Sequence, residues 1–213
     1  MDFMLIDFSD LIKKYNMNIS GIIHIGAHYG EEIHDYINND IKKIVAFEPL
    51  VENYSILQDN IRRLGIDVET HQTALGSSSG ETLMYVSSNQ KQSSSILKPK
   101  VHLTQHPNVF FDTTENVTIK TLDEFNIDGC NFINMDVQGY ELEVLKGSKD
   151  TLNDIDYVYC EVNRDELYEN NAYIEEIDDF LSRYNMIRVE TDWSGVTWGD
   201  ALYIKSDSIQ KHV

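Results

Sequence analysis

Apolar and polar positions change period repeatedly along this chain, and each change marks an element. Residues 7–16 carry Phe8, Leu11, Ile12 and Tyr15 at helical spacing, with Asp7 or Ser9 placed to cap the start. Ile22, Ile23 and Ile25 are β-branched and predict a short buried strand, which runs into Gly26 and Gly30. Helical spacing returns at 31–38, through Ile33, Tyr36 and Ile37. The alternation then repeats as a strand at 43–49, a helix at 53–64 stopped by Gly65, and a strand at 68–75.

After that the pattern loosens. Residues 81–87 predict an extra strand and 89–115 a long irregular excursion, which inside a compact domain marks a functional or mobile loop. A short strand at 117–119 and a turn of helix at 122–125 follow. Regular alternation resumes with a strand at 131–136, a helix at 141–152, a strand at 156–162 and a helix at 173–184. Two short strands, 186–190 and 200–204, close the chain around the Gly/Trp-containing stretch 192–199. This order predicts an α/β fold: a doubly wound, mainly parallel sheet with helices on both faces and an antiparallel strand pair at its end. A single domain is expected over 1–213, with the question left open whether it is cut from a longer chain.

Composition narrows the partners. The 213 residues carry a formal net charge of −19. Nucleic acid and anionic membranes demand basic patches, so neither is expected as a partner, and a neutral or cationic ligand is easier to accommodate. Cys130 and Cys160 sit in apolar runs and read as buried free thiols. The N-terminus lacks the basic and apolar regions of a signal peptide, and no apolar run is long enough to span a bilayer, so a cytoplasmic protein is expected.

The candidate chemistry sits where strands end. Gly26 and Gly30 allow a ligand to approach the backbone at the start of a helix. Glu48, Asp136 and Glu161 each end a strand, and with the glycine turn they define one rim of the sheet. A carboxylate at the end of the second strand suits two ribose hydroxyls, which fits both NAD and S-adenosylmethionine. A pyrophosphate turn wants a glycine in the middle of the run, and here that glycine is missing. Glu31 and Glu32 enter the helix start, where two carboxylates would repel a pyrophosphate but tolerate a sulfonium and an ammonium. Charge therefore favours S-adenosylmethionine.

At this point the sequence resembles the FkbM-type methyltransferases, S-adenosylmethionine-dependent enzymes that methylate hydroxyls. The matching runs are 23–32, 47–49, 74–76, 93–97, 121–123, 134–147, 161–163 and 198–204, in the family's order and spanning nearly the whole chain. His28 and Gln138 stand where the common family version has Asn and Glu. The resemblance implies a Rossmann-like class I methyltransferase fold with a seven-stranded sheet. It implies that Gly26, Ala27, His28, Tyr29 and Gly30 wrap the methionine part of the cofactor. Glu48 and Pro49 would hold the ribose, Ala74 and Leu75 would lie beside the adenine, and Asp136 and Gln138 would sit near the amino group or the reacting hydroxyl. Ser94, Ser95, Asn163, Trp198 and Asp200 are put forward as contacts to a small-molecule or glycan acceptor, with a sugar hydroxyl first.

Several assignments stay open at this level. The base that takes the hydroxyl proton is Asp136 or Glu161, with His28, His102 and His106 as alternatives. Asp136 and Glu161 could instead share a divalent cation. Capping of the next helix competes with a site role for Asp136. Trp193 and Trp198 either stack on a sugar or pack beneath their loop, and His24 reads as a satisfied core histidine. A nucleoside-binding module without chemistry and an NAD-dependent oxidoreductase are the competing functions. Oligomeric state is not legible.

Overall fold

A computed structural model describes residues 4–209. The main sheet has seven strands in the order β3-β2-β1-β7-β8-β10-β9. They are β1 (Ile22–Ile25), β2 (Ile44–Phe47), β3 (Glu69–His71), β7 (Phe132–Met135), β8 (Tyr157–Asn163), β9 (Met186–Ser194) and β10 (Trp198–Lys205). β3, β2, β1, β7 and β8 run parallel, and β10 pairs antiparallel with both β8 and β9.

Side chains alternate across this sheet, and each face builds its own core. Ile22, Ile44, Phe132 and Tyr159 face α1 (Phe8–Tyr15), α2 (Ile33–Asn38) and α3 (Val51–Leu64). Ile23, Val45, Ile133 and Val158 face α5 (Glu141–Lys146) and α6 (Ile174–Ser182). Helices thus cover both faces, as the strand–helix alternation predicts. Asp7 caps α1 by accepting the N–H of Asp10, and Gly65 ends α3 at φ +67°.

Four local expectations are corrected. The strand read at 68–75 is two strands in two sheets. β3 pairs with β2, whereas β4 (Ala74–Leu75) joins β6 (Thr113–Lys120) and β5 (Gly80–Val86) in a separate three-stranded sheet. Thr73 makes the break, its hydroxyl donating to the Thr118 carbonyl at 3.0 Å. The helix read at 141–152 stops at Lys146, because the chain must pass close to the backbone of Gly76: a Cβ on Gly147 would lie 2.0 Å from the Gly76 carbonyl oxygen. Leu152 then sits in a separate helical turn, Thr151–Asn153. The irregular stretch 89–115 contains a short helix, α4 (His102–Gln105), and the start of β6. The last two strands are longer than expected and form one hairpin, which absorbs most of the stretch read as their connection.

The strand register positions the site. Ile25 lies level with Phe47 on one side and Met135 on the other, and Met135 is level with Cys160. The next residues along these strands are Gly26, Glu48, Asp136 and Glu161, and Asp200 of β10 pairs directly with Glu161. One rim therefore presents Glu48, Gly26, Asp136, Glu161 and Asp200 side by side. Chain order reverses between β1 and β7, the switch point where open parallel sheets bind ligands.

Candidate active site

The turn after β1 is held from both sides. Gly26 adopts φ +81°, and a Cβ there would lie 1.9 Å from the Asp136 carbonyl oxygen, so β1 and β7 approach too closely for any side chain. His28 takes φ +46°, and its N–H donates to Glu48 Oε2 at 2.9 Å. Glu48 Oε1 accepts the N–H of Leu50 at 2.9 Å. Burial raises the Glu48 pKa to about 7, with these N–H donors pulling the other way.

Above the turn lies a chamber with about 560 Å³ of empty space. Gly26, His28, Glu48, Pro49, Ala74, Leu75, Asp136 and Gln138 all line it. Ala27, Tyr29 and Gly30 do not. Ala27 points into the core beneath the sheet, Tyr29 stacks on the His28 ring at 3.7 Å, and Gly30 gives room to Leu57 and Ile33. Leu50, Met84, Ile96 and Tyr140, packed around the three-stranded sheet, supply an apolar wall. Asn53 also lines the chamber, although nothing in the sequence pattern singles it out. It is 1% exposed, and its Oδ1 has no hydrogen-bond partner among the described residues. An apolar slot for a base, a buried acid and a buried amide oxygen without a partner fit a nucleoside-bearing cofactor such as S-adenosylmethionine.

Glu31 and Glu32 do not present two free charges here. Glu31 is tied to His28 Nδ1 at 2.9 Å. Glu32 is half-buried and desolvation raises its pKa to about 8, while burial lowers that of His24 to about 4. Their 3.7 Å contact therefore joins two neutral groups at pH 7. His24 is buried as expected but not satisfied, since its Nδ1 has no partner among the described residues.

A second chamber, with about 1120 Å³ of empty space, opens on the far side of Asp136. Asp136, Gln138 and Gln92 line both chambers. Glu161, Trp198, Asp200, Ser93, His102 and His106 line the second. Of the residues put forward for the acceptor, Trp198 and Asp200 are thus on its wall, while Ser94 lines the first chamber instead. Ser95 is fully buried and donates to the Gln138 carbonyl at 2.7 Å, and buried Asn163 lies beside Glu161, 3.4 Å from its Oε1. Trp193 lies against the core with the Arg164 guanidinium 3.3 Å from its ring centroid, so the two tryptophans divide the packing and cavity roles. His102, an alternative base on the sequence, is a wall residue of this chamber. It is buried, its Nδ1 has no partner among the described residues, and burial with the neighbouring His106 lowers its pKa to about 4.

The rim carboxylates form a tight group. Asp136, Glu141 and Glu161 each place an oxygen within 4.8 Å of the others. Glu141 accepts the N–H groups of Val137 and Gly139, both at 3.1 Å, and so braces the turn after β7. That is the capping role weighed for Asp136, and it leaves Asp136 free of it. Burial raises the pKa of Glu161 well above the carboxylate range and that of Glu141 to about 7, and desolvation by its neighbours also raises Asp136, although its side chain is exposed at the chamber wall. Asp200, tied by Tyr159 and the Leu5 N–H, is also raised to about 7 by burial.

A mainly parallel sheet with this strand order and a chamber at its switch point give the Rossmann-like fold of the class I methyltransferases. The family model of the methyltransferase FkbM domain matches residues 24–187, and the chain belongs to that family. Membership of a methyltransferase family speaks against the NAD-dependent reading. Over 99 residues it is 34% identical to the 2-O-methyltransferase NoeI of Sinorhizobium fredii (strain NBRC 101917 / NGR234), covering 45% of this chain and 41% of that protein. Among solved structures, methyltransferase FkbM from Methylobacillus flagellatus KT aligns with a TM-score of 0.60 at 17% identity, covering 87% of this chain and 43% of that one. Magnesium protoporphyrin IX methyltransferase from Synechocystis PCC 6803, solved with bound S-adenosylmethionine, aligns with a TM-score of 0.53 at 7% identity, covering 93% and 76%. The chain thus spans less than half the length of the FkbM-family relatives it matches. No helix among the described residues is long and apolar enough to cross a membrane.

Proposed function

We propose that this enzyme uses S-adenosylmethionine to methylate a hydroxyl of an uncharged or cationic acceptor, with a sugar or sugar polymer as the leading class. The observation that carries the reading is the position of Asp136 in the wall shared by the two chambers. A group there reaches the reacting atoms from either side.

When bound, S-adenosylmethionine supplies an electrophilic methyl group. The chain's own residues do the rest. Glu48 would accept hydrogen bonds from the ribose hydroxyls, Asn53 Oδ1 would take a further donor, and the apolar wall at Leu50, Ala74, Leu75, Met84 and Ile96 would enclose the base. Gly26 would keep the backbone bare beside the methionine end. Asp136 Oδ1 is held by Gln138, which leaves Oδ2 to take the proton of an acceptor hydroxyl; the methyl group would come from the sulfonium, whose S–C bond breaks and whose remainder leaves as S-adenosylhomocysteine. Alignment of this kind contributes up to ~7–11 kcal/mol in favourable systems, and a positioned base roughly 10²–10⁴-fold.

The acceptor chamber supports the substrate class. Asp136, Glu161 and Asp200 line it, and no Lys or Arg does among the described residues, so the chamber offers no countercharge to a phosphate or carboxylate beside the reacting hydroxyl. Trp198 offers a flat face for a sugar ring. The relative's name, a 2-O-methyltransferase, supports oxygen as the atom methylated.

The test is calorimetric titration with S-adenosylmethionine and S-adenosylhomocysteine, followed by a methylation panel that pairs neutral and amino sugars with their uronate and phosphate counterparts. Binding of both compounds and product from the neutral or amino members are expected. Failure to bind either compound removes the cofactor assignment, and preference for the anionic members removes the acceptor class.

A further inference from the structure

Between the two strand-end carboxylates lies a side chain that is neither acid nor cation. Gln138 Nε2 donates to Asp136 Oδ1 at 2.7 Å and to Glu161 Oε2 at 3.1 Å. Both N–H groups of the amide are thereby used on the two carboxylates. Gln138 Oε1 accepts the Tyr168 hydroxyl at 2.7 Å. The reverse amide orientation would turn the carbonyl oxygen toward two carboxylates, so the cluster itself sets which end faces it.

The backbone is committed to this placement as well. Gln138 adopts φ +57°, a left-handed conformation uncommon for a residue with a side chain. Its carbonyl is held by buried Ser95 at 2.7 Å. A Cβ on the next residue, Gly139, would lie 2.9 Å from Asn171 Cβ, so the turn is packed against its neighbours. Tyr168 is fully buried. The amide is therefore pinned at both ends and at its own backbone.

We infer that the Gln138 amide occupies the position a divalent cation would take in this carboxylate group, and that Gln138 is the positioning residue that sets Asp136 and Glu161 for proton removal without a metal ion. A hard cation binds carboxylate oxygens at about 2.0–2.6 Å, and the Gln138 nitrogen, at 2.7 and 3.1 Å from Asp136 and Glu161, already stands between those two oxygens. To admit an ion the side chain must leave, breaking its bonds to Tyr168 and to both acids. An amide is neutral, so it bridges the two acids by hydrogen bonds without bringing the charge that a cation would bring. Asp136, which lines both chambers, is the member that faces the acceptor's proton. That last step rests on the O-methyl transfer reading above; the exclusion of the cation does not.

Mn²⁺ binding decides the matter, measured by electron paramagnetic resonance and calorimetry on the whole chain. Wild type is expected to show no stoichiometric site. Gln138→Glu replaces the donor by an oxygen ligand, and Gln138→Gly opens the space while suiting the left-handed backbone. Each variant should bind one Mn²⁺ at least about tenfold more tightly than wild type. A stoichiometric wild-type site that Glu161→Gln removes would overturn the inference, as would two folded variants with no gain. Titration of the same samples with S-adenosylhomocysteine keeps the two readings apart: lost cofactor affinity in wild type counts against the proposed function, and the Mn²⁺ comparison alone counts for or against the amide bridge.

Discussion

The Glu48 carboxylate accepts the backbone N–H of His28 at 2.9 Å, which joins the end of β2 to the glycine turn after β1. The acid therefore has two duties, bracing a left-handed turn and lining the first chamber. Because the braced N–H belongs to the turn that bounds the same chamber, loss of one duty disturbs the other.

Glu48→Ala should lower stability by about 1–3 kcal/mol, since it leaves two N–H groups without their acceptor. S-adenosylhomocysteine affinity should fall roughly 10–100-fold, the loss expected for a charged hydrogen-bond partner. Thermal unfolding and calorimetry measure the two effects separately. A lower midpoint with unchanged affinity would make Glu48 a brace and nothing more.

His28 clasps the turn to the loop above it. Its Nδ1 lies 2.9 Å from Glu31 and its Nε2 2.8 Å from the Gln90 carbonyl oxygen. Burial lowers its pKa, but the Glu31 carboxylate and the Gln90 carbonyl raise it, and the net shift is upward. A protonated ring donates to both partners, so this contact weakens as pH rises through the shifted value. His28→Ala should speed amide exchange at residues 89–94 and raise the cofactor dissociation constant. Exchange that matches wild type there would show that the clasp does not hold the loop.

Asp136→Asn should reduce turnover roughly 10²–10⁴-fold while cofactor affinity changes little, because the base is lost and the chamber keeps its shape. Steady-state kinetics with an acceptor from the neutral sugar panel, set beside calorimetry, gives both values. Near-normal turnover would move the proton to Glu161 or His102.

Stability should fall as pH rises from about 6.5 to 8.5. Burial raises Glu32 to about 8, and Glu48, Glu141 and Asp200 to about 7, so the folded chain holds protons that the unfolded chain has released. These groups stabilise fully below their unfolded pKa values, and the benefit disappears as pH passes the folded ones. His24 and His102, lowered to about 4, act oppositely below about 6.5, where the unfolded chain gains protons that they do not. Glu32→Gln should flatten the decline above 6.5. A midpoint that rises across that interval would contradict the assignment of raised carboxylates.

Local chemistry made much of this protein readable from the chain alone. β-branched runs, helical stripes and glycine stops are properties of neighbouring residues, and they marked β1, β2, β7, β8 and the helices between them. The turn at Gly26 and the strand-end acids Glu48, Asp136 and Glu161 followed from the same periodicity, because a parallel sheet puts every strand's carboxyl end on one rim. What lies opposite what was decided by strand register and by distant packing. Only the fold sets Asp200 against Glu161, desolvates Glu32 so that its pKa rises, and divides 68–75 between two sheets at Thr73. Only the fold brings His102 out of an irregular stretch to the acceptor wall and turns Gln138 between two carboxylates. Those contacts join residues far apart in sequence, and the free energy that selects them comes from closing the whole domain rather than from any local pattern.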